Sequence, residues 1–281
     1  MTLRSVAKIA HPAPQPGTGI LHPFPSRELS HLDPFVFLDT GAPMQLGAGD
    51  IYVGPHSHRG VQPVSLLFRG RIEHRDSLGN DRTISSGGMQ WLVAGSGALH
   101  EEVLNGDDDG VFHMAQLWVN VPGSMKMDPP EHHAVDAADV PVVTPAPGVS
   151  VRLYAGEVAG SVGPASLPTP VLVAHVILDS GSEVTIPAQR DWTASFCVVA
   201  GSVSTVGHNH LGEGATPIFA DDGDAISVGS QNGGEILLMI GEPIGEPIAM
   251  GGGFVMNSAE EINQAFEDEA AGLLGTLAAS R

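Results

Sequence analysis

Glycine and proline interrupt this sequence before any apolar run grows long. The 281 residues include 36 Gly and 22 Pro. Both residues favour tight reversals and cut short helical periodicity. A chain punctuated this way folds as many short strands joined by turns, so a mainly β protein is expected. At 42% hydrophobic residues a full core can form, and the length allows two medium-sized domains.

The first half reads as a series of strands. Residues 12–25 form an extended lead-in, and Pro34–Asp39 is a short apolar strand. Residues 47–53 lead into Pro55-His56-Ser57-His58-Arg59-Gly60. Val64–Phe68 and Arg71–Arg75 flank Gly70, and Asp76–Asn80 supplies the next reversal. Ser85–Gly88 turns into Met89–Ala94, and Met114–Val121 alternates as another strand, with His113 just before it. Residues 122–147 read as a proline-rich loop with an acidic stretch, Glu131–Asp139. The expected boundary therefore falls between domains 1–140 and 141–281.

The second half restarts the pattern with strands at Val171–Leu178, Glu183–Ile186, Thr193–Val199 and Ser202–Val206. Val199-Ala200-Gly201 echoes Phe68-Arg69-Gly70, which suggests a duplicated barrel. The C-terminus differs. Ser258 and Glu261 have the spacing of a reciprocal helix cap. Ile262, Ala265, Phe266 and Leu273 then recur at helical spacing. One amphipathic helix is expected over about residues 258–274.

Net charge narrows the partners. The formal charge is −20 with 12 Lys plus Arg, which disfavours a nucleic acid backbone and an anionic membrane surface. The single cysteine, Cys197, lies in an apolar run and is expected as a small buried hydrophobe. Residues 1–16 lack the apolar core of a signal peptide, and no run reaches membrane-spanning length. A soluble monomer is expected in the cytoplasm, or in the nucleus if the source is eukaryotic.

Two motifs carry the chemistry. His56 and His58 are two apart, so on a strand both imidazoles project from one face. His100 and Glu102 share a face in the same way. Three imidazoles and a carboxylate form a mixed N/O donor set. Such a set suits Fe(II), Mn(II), Ni(II) or Cu(II) better than structural zinc, and leaves positions open for a small molecule. His132 and His133 are adjacent and should diverge. His208 and His210 fall at a hairpin, and His74 is given no ligand role.

Taken together, the segment 55–60, Glu73–Asn80, Gln90–Gly97, His100-Glu101-Glu102 and Gln116–Asn120 resembles the pirin family. Gly253-Phe254-Val255-Met256-Asn257 resembles the family's C-terminus. The resemblance implies two tandem cupin (jelly-roll) β-barrels with a C-terminal α-helix, and one divalent metal in the first barrel. It carries the ligand roles onto His56, His58, His100 and Glu102, with Fe(II) expected and Mn, Ni, Cu or Co as alternatives.

The resemblance also implies activity toward flavonols such as quercetin with O₂, with Glu102 as the catalytic base and Glu101 a weaker candidate. Phe68, Met89, Trp91 and Leu92 are candidates for lining the substrate pocket. The alternative is a metal-dependent regulatory protein that binds protein partners. Gln62 departs from the family, standing where a carboxylate is usual. Aligning Gly201 with Gly70 puts Pro187 and Gln189 where His56 and His58 stand, so the second barrel should hold no metal.

Overall fold

The computed structural model describes residues 1–12, 15, 18–46 and 49–277. Within the expected lead-in, residues 13, 14, 16 and 17 lie outside the described residues, as do residues 47 and 48 on the approach to His56. Leu21–Phe24 within that lead-in is a short strand. Among the described residues the chain is mainly β with one α-helix.

Contacts divide the chain into two compact units. One joins Met1–Ala42 to Ala138–Pro243, and the other joins Pro43–Ala137 to Ile244–Arg281. The central division falls between Ala137 and Ala138, and each terminal segment groups with the unit remote from it in sequence. This differs from two linear halves, and the reason is pairing between segments distant in sequence. Val6–Ala10 pairs antiparallel with Thr216–Phe219, and Val6 and Ile9 pack on the core of that unit. The C-terminal helix buries Ile262 and Ala265 against Phe254 and Met256.

In the unit containing Pro43–Ala137, two antiparallel sheets pack face to face. One runs Ile51–His58, Ala98–Asn105, Arg71–Asp76, Asp81–Ser85. The other includes Glu131–Val135, Met89–Val93, Val61–Arg69 and Val111–Asn120 in that order. The supposed loop 122–147 is therefore partly structured. Glu131–Val135 pairs with Met89–Val93, and Val142–Ala146 is a strand of the other unit. His113 lies inside the strand Val111–Asn120 rather than before it.

The helix spans Ala259–Ala270. The Glu261 N–H donates to Ser258 Oγ at 3.2 Å, and the Ser258 N–H donates to Glu261 Oε2 at 2.9 Å. Beyond the helix, Leu274 is buried while Leu273 is 69% exposed. The apolar anchor falls one residue later than helical spacing suggests, because the helix has already ended.

The unit containing Ala138–Pro243 is a second barrel. Its interior is filled by alternating residues such as Leu153, Leu172, Ala174, Val176, Phe196 and Leu238. Thr193–Thr205 runs continuously through Gly201, which adopts φ +68°. No helix among the described residues is long and apolar enough to cross a membrane.

Candidate metal centre

Three of the expected side chains converge tightly. The His56, His58 and His100 rings lie 4.1–5.1 Å apart, centroid to centroid. One imidazole nitrogen from each falls within 4.8 Å of the others. The ladder explains this: His100 sits opposite His56, and Ala98 opposite His58.

Between His100 and Glu102 the register slips, so Glu102 faces Val53. Pro55, which has no N–H to give the ladder, lies in the irregular stretch, where such a residue is tolerated. As a result the Glu102 carboxylate groups with His100 and His74 rather than with all three imidazoles. His100 is common to both groups.

The electrostatics favour uncharged rings at His58 and His100. His58 Nδ1–H donates to the Gly253 carbonyl at 3.1 Å, and His56 Nδ1–H to the Gly54 carbonyl at 2.9 Å. With the proton on Nδ1, a neutral ring carries its lone pair on Nε2. The Nε2 atoms of His58 and His100 are buried without a hydrogen-bond partner. Such orphans cost about 1–3 kcal/mol each unless something coordinates them. Burial, with His56 nearby, lowers the His58 pKa to about 3. Burial and the surrounding imidazoles hold His100 well below the ordinary histidine value. A neutral ring with a free lone pair is the form that binds a metal.

The C-terminal segment fixes the His58 strand. Gly253 sits so close that a Cβ there would lie 1.9 Å from the Ser57 carbonyl oxygen. Arg59 donates to the Ser96 carbonyl and, from the helix, to Asp268, each at 2.7 Å. The buried Lys126 ammonium donates to Gly60 O at 2.8 Å, Asn120 Oδ1 at 2.6 Å and Val255 O at 3.0 Å.

Several residues at the site had no role in the sequence reading. His74 contacts Asp76 Oδ2 at 3.2 Å and His100 Nδ1 at 3.4 Å, and its ring stacks on His132 at 4.0 Å. Burial opposes charge on His74, but Asp76 and Glu102 outweigh it and its pKa is raised. Burial likewise opposes charge on Asp76, yet hydrogen bonds from His74 and Asn80 bring it down to about 2. His132 is lowered to about 3 by burial and by His74.

Gln90 Nε2 donates to Glu102 Oε1 at 2.6 Å, and its Oε1 lies 3.2 Å from His132 Nε2. These partners become visible only once the register sets His74 opposite Glu102. His132 and His133 diverge as expected, the latter stacking on Trp91 at 4.7 Å.

The remaining space is small. A cavity of about 10 Å³ is lined by His74, His100, Glu102, Gln90, His132 and Leu92 among others. It has room for about one water. Of the four candidate pocket residues, Leu92 alone lines it; Met89 is fully buried and Phe68 packs edge-on to His113. Pro63 and Ser65 also line it, so strand alternation turns the buried Gln62 to the opposite face. His208 and His210 lie on the strand His208–Gly212 that follows a hairpin turn, with His210 exposed.

The pirin family model matches residues 17–119, and the model of the pirin C-terminal cupin domain matches residues 173–274. The chain belongs to the pirin family. A Pseudomonas aeruginosa protein provisionally named quercetin 2,3-dioxygenase is 35% identical over 258 residues, covering 87% of this chain and 90% of that one.

The crystal structure of a quercetin 2,3-dioxygenase from Acinetobacter baumannii matches with a TM-score of 0.90 at 31% identity, covering 98% of this chain and 99% of that one. A bacterial pirin from Escherichia coli, solved with nickel(II), shares the fold with a TM-score of 0.64 at 16% identity, covering 84% and 98% of the two chains. This pirin is thus a two-cupin protein.

Proposed function

We propose that this pirin holds one divalent transition metal at His56, His58, His100 and Glu102 and acts as a quercetin 2,3-dioxygenase-like enzyme on flavonols. The observation that carries the metal site is the pair of buried, partnerless Nε2 atoms on His58 and His100. The donor set of nitrogens and one carboxylate suits Fe(II), Mn(II), Ni(II), Co(II) or Cu(II), with Fe(II) the expected occupant. The similarity to proteins named quercetin 2,3-dioxygenase supports the substrate class.

A divalent metal bound there supplies Lewis acidity, which lowers the pKa of a substrate hydroxyl. The Glu102 carboxylate accepts the hydroxyl proton as general base. The Gln90 amide, 2.6 Å from Glu102 Oε1, holds that carboxylate in place. Leu92 and the stacked His74–His132 pair exclude bulk water. A flavonol needs far more room than about 10 Å³. Glu131–Val135, paired only with Met89–Val93 among the described residues, is the edge strand whose displacement admits it.

Elemental analysis beside a His58→Ala variant tests the site. The variant should lose most of its metal while keeping its β-type circular dichroism. Unchanged metal content would refute the ligand assignment. Aerobic incubation with quercetin, following flavonol absorbance and CO release, tests the chemistry.

The cavity's small size favours a second reading, a metal-dependent regulatory protein that binds a protein partner without catalysis. Absence of turnover with Fe, Mn, Ni, Co and Cu, joined to stoichiometric partner capture only by metal-replete protein, would decide for it.

A further inference from the structure

A second cavity shares no lining residue with the metal centre. It measures about 480 Å³ and opens from the second barrel, within the range of about 300–1,000 Å³ typical of sites for small organic ligands. Its floor is apolar: Leu172 and Ile240 face inward from the strands Val171–Leu178 and Gly234–Gly241 and belong to the barrel core. Trp192 forms one wall, half-buried against the same core. Pro187 and Gln189 also line it. These are the positions matched to His56 and His58 by the glycine alignment. In the second barrel these positions carry no imidazole and border open space.

The rim is held in place. Arg4 is 1% exposed, and its guanidinium donates to the Trp192 carbonyl at 2.8 Å and the Gln189 carbonyl at 2.5 Å. It also pairs with Asp221 at 3.0 Å. The N-terminal segment thus clamps the loop that carries Gln189 and Trp192. Asp191 in that loop has φ +65°, and Ala159, in the hairpin that begins with the rim residue Glu157, has φ +50°. They are the two non-glycine residues with left-handed backbone among the described residues, and such strain persists only where the surroundings enforce it.

The lining defines the ligand chemically. No Lys, Arg or His lines the cavity, and Glu157 is its one charged side chain. An anion therefore finds no countercharge. The Glu157 carboxylate accepts from hydroxyl groups, and the Gln189 amide at the lining both donates and accepts. Trp192 offers a flat face for stacking.

We propose that the second barrel binds an uncharged, planar, hydroxylated aromatic molecule in this cavity, independently of the metal centre. The ligand's ring lies against Trp192 and Leu172, and its hydroxyls bond to Glu157 and Gln189.

Calorimetric titration of quercetin, under argon, into metal-stripped His58→Ala protein tests this apart from the metal site. Saturable binding of one quercetin per chain is expected. Glu157→Gln, at an exposed position, should weaken it several-fold and Trp192→Ala at least tenfold, whereas benzoate, an anionic aromatic, should not bind. No binding to the metal-stripped protein would overturn the proposal. So would binding indifferent to both substitutions, or benzoate binding as tightly as quercetin. Loss of metal or turnover in the parent protein has no bearing on these outcomes.

Discussion

Replacing Gly253 with alanine separates positioning of the metal centre from the ligands themselves. The added Cβ would lie 1.9 Å from the Ser57 carbonyl oxygen, more than an ångström inside an ordinary carbon–oxygen contact of about 3.3 Å. Gly253 does not use the left-handed region, so the cost is steric rather than conformational. The two backbones must part, and with them the Gly253 carbonyl that orients His58 Nδ1 at 3.1 Å.

Overpacking of this kind costs about 1–3 kcal/mol of stability. Disturbing the partner of a metal-binding imidazole lowers affinity about 10- to 100-fold. Gly49→Ala is the control, because among the described residues a Cβ at Gly49 meets no atom within 4 Å. Competition against a chromogenic chelator measures the affinity, and thermal unfolding measures the stability. A folded Gly253→Ala protein with parental metal affinity would refute the claim that the C-terminal segment sets the His58 geometry.

Lys126→Met should destabilise the protein by about 3 kcal/mol or more, because three oxygens lose their buried donor. A urea midpoint close to the parent's would show that water replaces the ammonium. Cys197 is fully buried, and burial pushes its thiol up to about 12. Ellman's reagent at pH 8 should find no thiol in the native protein and one per chain after denaturation; rapid native labelling would contradict the packing.

The fold was legible because its signals are local. The reversal at Asp76–Asn80, the glycine at 70 and the Ser258–Glu261 cap each act within a few residues. The pairing of His56 with His58 was legible for the same reason, since strand alternation needs no knowledge of neighbours. The position of Glu102 was less so. Alternation places it on the face of His100, but the slip near Pro55 turns it toward His74.

The roles of His74, Gln90 and His132 depend on which strand lies beside which, and strand periodicity alone does not record that. Residues 122–147 read as a loop because prolines and an acidic stretch break up the apolar residues. Glu131–Val135 is nonetheless a strand, paired at the edge of a sheet. The destinations of the two termini were equally hidden, since no local pattern records which distant strand a segment will join.

The exchange of terminal segments between the units has a consequence for synthesis on the ribosome. The strands bearing the three histidines emerge early, yet the carbonyl and carboxylate that steady them, from Gly253 and Asp268, follow well over a hundred residues later. The first barrel must wait, unfinished, while the whole of the second is made. A gene fragment cut at the midpoint would therefore encode the imidazoles without the parts that aim them.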